Sequence, residues 1–382
     1  MDVTLDLLKR LIAIDSVNPS LVPGAAGEAA IARMLVEYLR DRGFAVEVQD
    51  AAPGRPNVVA TLEGRAPGRS LMFCGHIDTV GVIGMDAPFI PEERDGRIYG
   101  RGSQDMKGGV AAMIGAAEVI AQSGGLDAGR ILIACVADEE HASIGADALV
   151  TKWRADGAVV TEPTDLTIGV AHKGFEWVEI ETRGVAAHGS RPRDGRDAIM
   201  RMGRVLGELE ALDRDLQSRA PHALLGTASL HASLISGGRE LSSYPDRCTL
   251  QLERRTLPGE RIGVAAQEVQ DILARLMTRD DEFEAASTAL FARAPFEVPQ
   301  ADALPATLVA AAKGLGLSAP VTGMSYWADT AVLQGAGIPS VLFGPAGAGL
   351  HGVDEYVDTR SVLQCRDALV ALARAWGKGD GI

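Results

Sequence analysis

Short apolar runs recur along this chain, and each is followed by a segment that carries histidine or acidic residues. The runs are residues 70–74, 130–137, 158–161 and 340–344. An apolar run of this length, bounded by glycine or polar residues, is typical of a strand that is buried on both faces. Because helical patterns separate the runs, the sequence predicts an α/β fold with a mixed, mostly parallel sheet covered by helices.

The pattern changes near residue 167. Strand and helix patterns then follow in the order β-α-β-β-α-β, which predicts a separate α+β unit of the ferredoxin-like type. Alternation of helices and strands resumes after about residue 288. We therefore expect a discontinuous α/β domain of residues 1–168 and 288–382, with an inserted domain of residues 169–287.

Charge and cysteine content exclude several classes of protein. The net charge of −14 leaves no excess of Lys and Arg, so nucleic acid is not an expected partner. The four cysteines are far apart and form no Cys-x-x-Cys pair, which argues against a disulfide framework or a structural zinc ribbon. No signal-peptide pattern is visible, and no uncharged apolar run reaches about 18 residues, so we expect a cytoplasmic protein with no membrane partner.

Histidine and acidic residues stand where the predicted strands end, which is where ligands bind in open α/β sheets. They are His76, Glu139, Glu140, Glu162 and His351, and Asp105 precedes a predicted helix. Two imidazoles and several carboxylates can hold two divalent cations, and this donor set suits Zn²⁺, Co²⁺ or Mn²⁺. Glu139 and Glu140 cannot both point the same way in an extended segment, so one can bind metal while the other acts as a general base.

Asp78 follows His76 by two residues. In an extended segment the two side chains share a face, so the Asp78 carboxylate can accept the second ring N–H of His76 and fix its orientation.

Each of these signals has an ordinary structural interpretation when it is taken alone. A histidine at a strand end is usually structural, and a Glu139-Glu140 pair is usually a solvated turn. The glycine-rich segment 100–109 has the composition of a phosphate loop but lacks the GxxxxGK[ST] spacing. In this order and at strand ends, the signals together favour a metal site.

The ordered motifs resemble those of the M20 metallopeptidase family, the group of acetylornithine deacetylases, succinyl-diaminopimelate desuccinylases and aminoacylases. In chain order they are GHIDTV at 75–80, GRGSQDMKGG at 100–109, DEE at 138–140, TEPT at 161–164, AHGS at 187–190 and HGVDE at 351–355. The resemblance implies two bound divalent ions, Zn²⁺ or Co²⁺ with Mn²⁺ as a further option. It also implies hydrolysis of an amide bond in an N-acyl amino acid, with N-acetylornithine as the first expectation.

The resemblance assigns the metal ligands residue by residue. It implies that His76 and Glu162 bind one ion. It implies that Glu140 and His351 bind the other ion, and that Asp105 bridges the two.

The resemblance also implies the catalytic roles. Asp78 would orient His76, while Glu139 would take a proton from the water between the metals and pass it to the leaving amine. Asp329 and Thr330 match positions near the substrate pocket in the family pattern.

The insert at 169–287 resembles the family's lid, which also forms a homodimer. His188 would reach the active site of the partner subunit and stabilise the oxyanion of the tetrahedral intermediate. Arg255 would hold a substrate carboxylate, a bidentate task that suits a guanidinium. Ser242 stands where many family members have asparagine, which leaves the substrate open.

Two other functions also fit the sequence. A dipeptidase, a carboxypeptidase or a succinyl-diaminopimelate desuccinylase would keep the chemistry and change the substrate. A catalytically inactive relative that binds metal or ligand would belong to another class, but the presence of Glu139 beside every expected ligand argues against it.

Overall fold

The computed structural model describes residues 2–378. The helices, in chain order, are α1 Val3–Ile12, α2 Ala29–Asp41, α3 Gly108–Gln122, α4 Ile144–Lys152, α5 Ala198–Ser218, α6 Val264–Arg279, α7 Ala303–Gly314, α8 Thr330–Gly335 and α9 Thr359–Gly377. The strands are β1 Ala45–Ala52, β2 Arg55–Glu63, β3 Ser70–His76, β4 Glu92–Arg94, β5 Arg97–Tyr99, β6 Arg130–Val136, β7 Ala158–Val160, β8 Ile168–His172, β9 Gly174–Arg183, β10 Ser229–Gly237, β11 Arg247–Thr256, β12 Glu284–Arg293, β13 Phe296–Glu297, β14 Val321–Met324, β15 Ser340–Leu342, β16 Gly347–Ala348 and β17 Tyr356–Asp358. Within residues 2–378, no helix has both the length and the apolar composition that a membrane span requires.

The chain divides into two compact units. The first takes in the described residues up to Val170, then Val298–Thr322 and the described residues from Ala328 onward. The second is Ala171–Glu297 with Gly323–Trp327.

The sheet of the first unit runs in the order β1-β2-β6-β3-β7-β15-β8. Its central strands β6, β3, β7 and β15 are parallel, while β1 and β2 are antiparallel. All residues of β3 are buried, and since successive residues point to opposite faces, the sheet is covered on both sides. The predicted mixed α/β fold with a mostly parallel central sheet is confirmed.

Helix α1 illustrates how local sequence sets these elements. The Asp2 side chain accepts the N–H of Thr4 at 2.8 Å, which caps the first turn. Leu5, Leu8 and Leu11 are buried at helical spacing and face the core.

The second unit contains an antiparallel sheet in the order β10-β11-β9-β12. Helices α5 and α6 cover one face, where the core includes Val178, Ile180, Val205, Leu250, Val269 and Ile272. Along the chain the order is β9-α5-β10-β11-α6-β12, which is the predicted ferredoxin-like succession. The expected end of the insert at residue 287 falls inside β12, which belongs to this sheet, and the unit continues to Glu297.

Strand register places the polar residues of the first unit side by side. His76 is the last residue of β3 and pairs with Val136 at the end of β6. Cys74 pairs with Val160 at the end of β7, two residues before Glu162. The three strand ends are therefore nearly level at one edge of the sheet.

Candidate metal centre

The carboxylate of Asp105 lies between two histidines. Its Oδ1 is 3.0 Å from His76 Nε2, and its Oδ2 is 3.4 Å from His351 Nε2. His351 Nε2 is also 3.2 Å from Glu140 Oε2. On the other side, Glu162 Oε1 lies 3.9 Å from His76 Nε2. The five expected metal ligands therefore converge, with Asp105 at the centre.

Two groups of donors lie close enough together to hold an ion. One is His76, Glu139 and Glu162, the other is His76, Asp105 and Glu140, and within each group the donor atoms lie within 4.8 Å of one another. Glu140 Oε1 and Glu162 Oε1 are buried and make no hydrogen bond within residues 2–378. Buried carboxylate oxygens of this kind need a compensating cation, so the donors present fit divalent metal ions.

Burial makes the carboxylates of this centre hard to ionise. Burial, followed by the charge of Glu162, raises the pKa of Glu139 well above its usual value. Burial and the charge of Asp105 raise the pKa of Glu140 to about 7. Burial would also raise the pKa of Asp105, but hydrogen bonds from the two histidines hold it below its usual value.

The two histidines show the matching effect. Burial lowers the pKa of His76, but hydrogen bonds to Asp105 and Asp78 outweigh it and hold that pKa well above its usual value. Hydrogen bonds to Asp105 and Glu140 raise the pKa of His351 to about 10. Protons on these rings balance the buried carboxylates, and a divalent cation that binds here must displace them.

Asp78 connects His76 to the turn that carries Glu139 and Glu140. His76 Nδ1 lies 3.0 Å from the Asp78 backbone carbonyl and 3.6 Å from Asp78 Oδ1, so the carbonyl is the closer acceptor. The Asp78 carboxylate is thus the more distant of the two partners of this ring, and it also accepts the backbone N–H groups of Glu139 at 3.1 Å and Glu140 at 3.2 Å.

A buried ion pair, to which the sequence analysis gave no role, holds the Asp105 loop. Glu355 accepts Arg101 Nη1 at 2.6 Å and three backbone N–H groups of the loop at 2.9, 2.9 and 3.1 Å, the last from Asp105. Arg101 also donates to the carbonyl of Gly352, next to His351. The sequence did contain a signal for this pair. Arg101 and Glu355 are charged residues within two of the family motifs, whose other residues form turns or are expected to bind metal.

Asp105 itself lies in an irregular turn, Ser103–Lys107, which leads directly into helix α3, so it precedes a helix as the sequence predicts. Gly102 begins this turn with φ of 79°, where a Cβ would lie 2.7 Å from Thr79 Cγ2. Helix α3 starts three residues after Asp105, and a Cβ on Gly109 would lie only 1.9 Å from Thr161 O. The glycines therefore permit the loop conformation and the close contact of α3 with the end of β7.

Comparison with known proteins identifies the family of this chain. Residues 72–375 match peptidase family M20/M25/M40. The chain belongs to this family. The acetylornithine deacetylase of Myxococcus xanthus is 32% identical over 362 residues, covering 89% of this chain and 90% of that protein. The predictions of the family and of a hydrolase are confirmed.

Two further similarities extend over almost the whole M20 chain. The N-formyl-4-amino-5-aminomethyl-2-methylpyrimidine deformylase of Bacillus subtilis is 26% identical over 404 residues, covering 97% of this chain and 94% of that protein. The crystal structure of a tripeptidase from Staphylococcus aureus superposes with a TM-score of 0.83 at 22% identity and covers 98% of both chains. The latter likeness shows that the two share the M20 fold.

Asp329 and Thr330, expected near the substrate, are buried in the first unit of this M20 protein. They stand at the start of α8. After burial and the nearer charges, the charge of Asp329 also contributes to the raised pKa of Glu139 and of Glu162. Asp329 is therefore close to the candidate metal centre, while Thr330 is the residue that follows it.

His188, Ser242 and Arg255 belong to the second unit of the M20 chain. His188 is exposed, and its Nδ1 lies 2.8 Å from Ser190 Oγ. The carbonyl of Ser242 accepts a backbone N–H of the His188 loop at 2.7 Å, so these two segments are joined. Arg255 Nη2 donates to the carbonyl of Ser325 at 3.0 Å. The roles expected for these residues stay predictions.

Proposed function

We propose that this chain is a metal-dependent amidohydrolase that removes a short acyl group from an N-acyl amino acid, with N-acetylornithine as the first substrate to test. The observation that carries the proposal is the position of Asp105, with Oδ1 3.0 Å from His76 Nε2 and Oδ2 3.4 Å from His351 Nε2. The relative from Myxococcus xanthus, at 32% identity, supports the choice of substrate.

Two divalent cations fit the proposed centre. His76 and Glu162 would hold one, Glu140 and His351 would hold the other, and Asp105 would bridge them. Imidazole with carboxylate favours Zn²⁺ or Co²⁺, and Mn²⁺ is a further option. When bound, the ions would supply a water of lowered pKa and polarise the amide carbonyl.

Glu139 is the proposed general base. Its Oε2 lies 3.9 Å from His76 Nε2, and its backbone N–H is held by Asp78. It would take a proton from the attacking water and donate it to the leaving amine nitrogen. Burial and the charge of Glu162 raise its pKa above the usual carboxylate value, which makes it a stronger base than an exposed glutamate.

The second unit is proposed to be the lid and dimerisation domain. His188 would stabilise the oxyanion in the partner subunit's site, Arg255 would hold the substrate carboxylate, and Ser242 would contact the substrate. Strand β10 ends the sheet, carries Leu234 and Ile235 with exposed fractions of 66% and 56%, and has no strand on its outer side within the described part of the chain. An open apolar edge of this kind can pair with the same strand of a second copy.

The decisive experiment measures kcat/KM of the metal-loaded protein on N-acetyl, N-formyl and N-succinyl amino acids and on dipeptides. We expect N-acetylornithine to be preferred, with Asp329 and Thr330 proposed to line its pocket. Exclusive cleavage of dipeptides would reject this choice and favour a dipeptidase or carboxypeptidase, while preference for N-succinyl-diaminopimelate would favour a desuccinylase. Metal binding without any turnover, together with identical behaviour of Glu139→Gln, would favour an inactive relative.

Removal of a formyl group is the second candidate. The deformylase from Bacillus subtilis aligns over 97% of this chain, a larger share than the 89% covered by the deacetylase. The chemistry would be the same, since both reactions attack an amide carbonyl and release an amine. The N-formyl substrates of the panel distinguish the two candidates.

A further inference from the structure

Asn18 lies fully buried in a hydrogen-bond network behind the metal centre. Its Nδ2 donates to Asp78 Oδ2 at 2.7 Å and to Asp138 Oδ1 at 3.0 Å. Its Oδ1 accepts Arg55 Nη2 at 3.1 Å and the N–H of Ser20 at 2.9 Å. The orientation of the amide is fixed by these partners, because turning it over would place its oxygen against two carboxylates.

Arg55, which donates to the oxygen of the Asn18 amide, is itself held in place by two carboxylates. Its Nε and Nη2 contact the two oxygens of Glu28, at 2.5 Å each, as a bidentate ion pair. Its Nη2 also donates to Asp138 Oδ1 at 2.9 Å, and Glu28 Oε1 accepts the backbone N–H of Asp138 at 3.2 Å. The guanidinium is thus held on both sides while it donates to the Asn18 oxygen.

The backbone fixes Asn18 as firmly as its side chain does. Its N–H donates to the carbonyl of Thr79 at 2.9 Å, and the N–H of Thr79 donates to the carbonyl of Ser16 at 3.0 Å. This backbone pairing aligns the Asn18 segment with the segment that follows β3. Asp138, the other acceptor of the amide, begins the turn that follows β6 with φ of 69°. Asn18 therefore connects the segments that follow two neighbouring strands.

We propose that Asn18 is a positioning residue that joins the segment of Asp78 to the turn of Glu139 and Glu140, with Arg55 acting through it. Its effect on turnover rests on the proposed hydrolase function, whereas its effect on metal affinity does not. Without the amide, the carboxylates of Asp78 and Asp138 would lose the donor that they share. Arg55 would still contact Asp138, but no group would join the two carboxylates, and buried like charges that lose a common donor move apart. Asp78 would then carry with it the backbone N–H groups of Glu139 and Glu140.

The chain offers a matched control, because Asn57 is its only other asparagine. Asn57 is equally buried, accepts the N–H of Ala137 at 3.1 Å and donates to the carbonyl of Gly145 at 2.8 Å. It contacts none of the side chains proposed to bind metal. Asn57→Ala therefore reports the cost of losing a buried amide at a strand end without loss of the Asp78 contact.

The experiment uses the full-length protein, freed of metal and titrated calorimetrically with Zn²⁺ and with Mn²⁺. Loss of a group that orients ligands typically costs about 10- to 100-fold in affinity or activity, and we expect Asn18→Ala to lose that much metal affinity and kcat, with KM changed less than about threefold. Asn57→Ala is expected to lower the thermal unfolding midpoint while its metal affinity stays within about threefold of the parent's.

Equal metal affinities of Asn18→Ala and Asn57→Ala would overturn the inference. The titration uses no substrate, so a parent protein that binds metal but hydrolyses nothing counts against the proposed function and leaves the Asn18 result standing. If Asn18→Ala does not fold, Asn18→Ser replaces it, since a serine hydroxyl has a single donor hydrogen and cannot join the carboxylates of Asp78 and Asp138. A metal affinity of Asn18→Ser equal to the parent's would then reject the role of Asn18.

Discussion

The backbone N–H of Asp105 donates to Glu355 Oε1 at 3.1 Å, across 250 residues of sequence. Glu355 follows His351 by four residues, so one carboxylate links the loops of two proposed metal ligands. The same carboxylate is paired with Arg101, and both side chains are buried. The geometry of the proposed metal bridge therefore depends on a residue that binds no metal itself.

Replacement of Glu355 should weaken metal binding. We expect Glu355→Gln to lose about 10- to 100-fold in affinity for the more weakly held ion, because the amide cannot accept all the N–H groups of the loop. Calorimetric titration of the variant with Zn²⁺ measures this loss of affinity. Glu118→Gln is the control. It removes a buried carboxylate of α3 that is paired with Arg42, and it should keep the parent's affinity. Unchanged affinity of Glu355→Gln would show that the loop holds Asp105 without this bond.

Glu139→Gln should abolish turnover and keep both metals. General base catalysis contributes about 10²- to 10⁴-fold, so we expect a loss of kcat of at least that order. Kinetics on the best substrate of the panel and metal analysis of the same sample measure the two effects. Glu140→Gln is the comparison, since it should lose metal as well as activity. Loss of both metals from Glu139→Gln would make Glu139 a ligand and leave the base unassigned.

His188→Ala should reduce kcat by about 10²- to 10³-fold, the usual cost of a lost oxyanion donor, with metal content unchanged. If His188 serves the partner subunit, mixing His188→Ala with Glu139→Gln subunits should restore activity, because one site of each mixed dimer then has both residues. The recovered rate after exchange of subunits measures this. An inactive mixture that has formed dimers would place His188 in the site of its own subunit.

Metal-free protein should be less stable at about pH 8 than at about pH 6. The pKa of Glu140 is raised from 4.5 to about 7, so the penalty for ionising it grows as pH rises through that window. The pKa of His351 is raised from 6.5 to about 10, so the stability that its charge contributes declines as pH rises from 6.5 towards 10. Both effects have the same sign. The lowered pKa of Asp105 acts only in more acidic solution, and the pKa of buried Lys107, lowered to about 7, opposes them only above that pH.

Thermal unfolding with and without Zn²⁺ measures this dependence. The increase in the thermal unfolding midpoint on Zn²⁺ binding should be larger at the higher pH, because fewer protons then compete for the donors. Glu140→Gln isolates the local contribution, and the metal-free variant should gain stability over the parent as pH rises. A variant whose advantage shrinks with rising pH would contradict the assignment.

A charge on β10 should prevent dimerisation. Leu234→Glu places a carboxylate on the exposed edge that is proposed to pair with a second copy, and we expect a monomer in sedimentation velocity. Leu315→Glu changes an equally apolar exposed position in the first unit and should leave the oligomeric state unchanged. A dimeric Leu234→Glu protein would move the interface elsewhere.

Strong local patterns made the central sheet predictable. The apolar runs of β3, β6, β7 and β15 are buried strands with polar residues at their ends, and these ends carry His76 and Glu162 as expected. Strand β12 was recognised less well, because Ala285, Ala286 and Ala289 give little contrast between its two faces. For that reason the expected insert stopped inside β12.

The role of Asn18 was beyond prediction because its partners are remote in sequence. Asn18 contacts Asp78 across 60 residues and Asp138 across 120 residues. Local sequence periodicity does not predict such long-range contacts, and an isolated asparagine in a sequence usually indicates a turn. The M20 family and fold were recognisable from the motifs, whereas the roles of His188, Arg255 and Ser242 stay predictions.

The register of β3 against β6 and β7 has a consequence for how such a protein can diversify. Neighbouring strands lie about 4.8 Å apart, so the strand spacing sets the distances between the proposed metal donors at their ends. Inserting or deleting a single residue within β3 would turn His76 to the opposite face, whereas the inserted unit supplies none of the proposed ligands. Under the roles proposed for Arg255 and Ser242, new substrate preferences would evolve by changes in that unit while the metal donors are inherited intact.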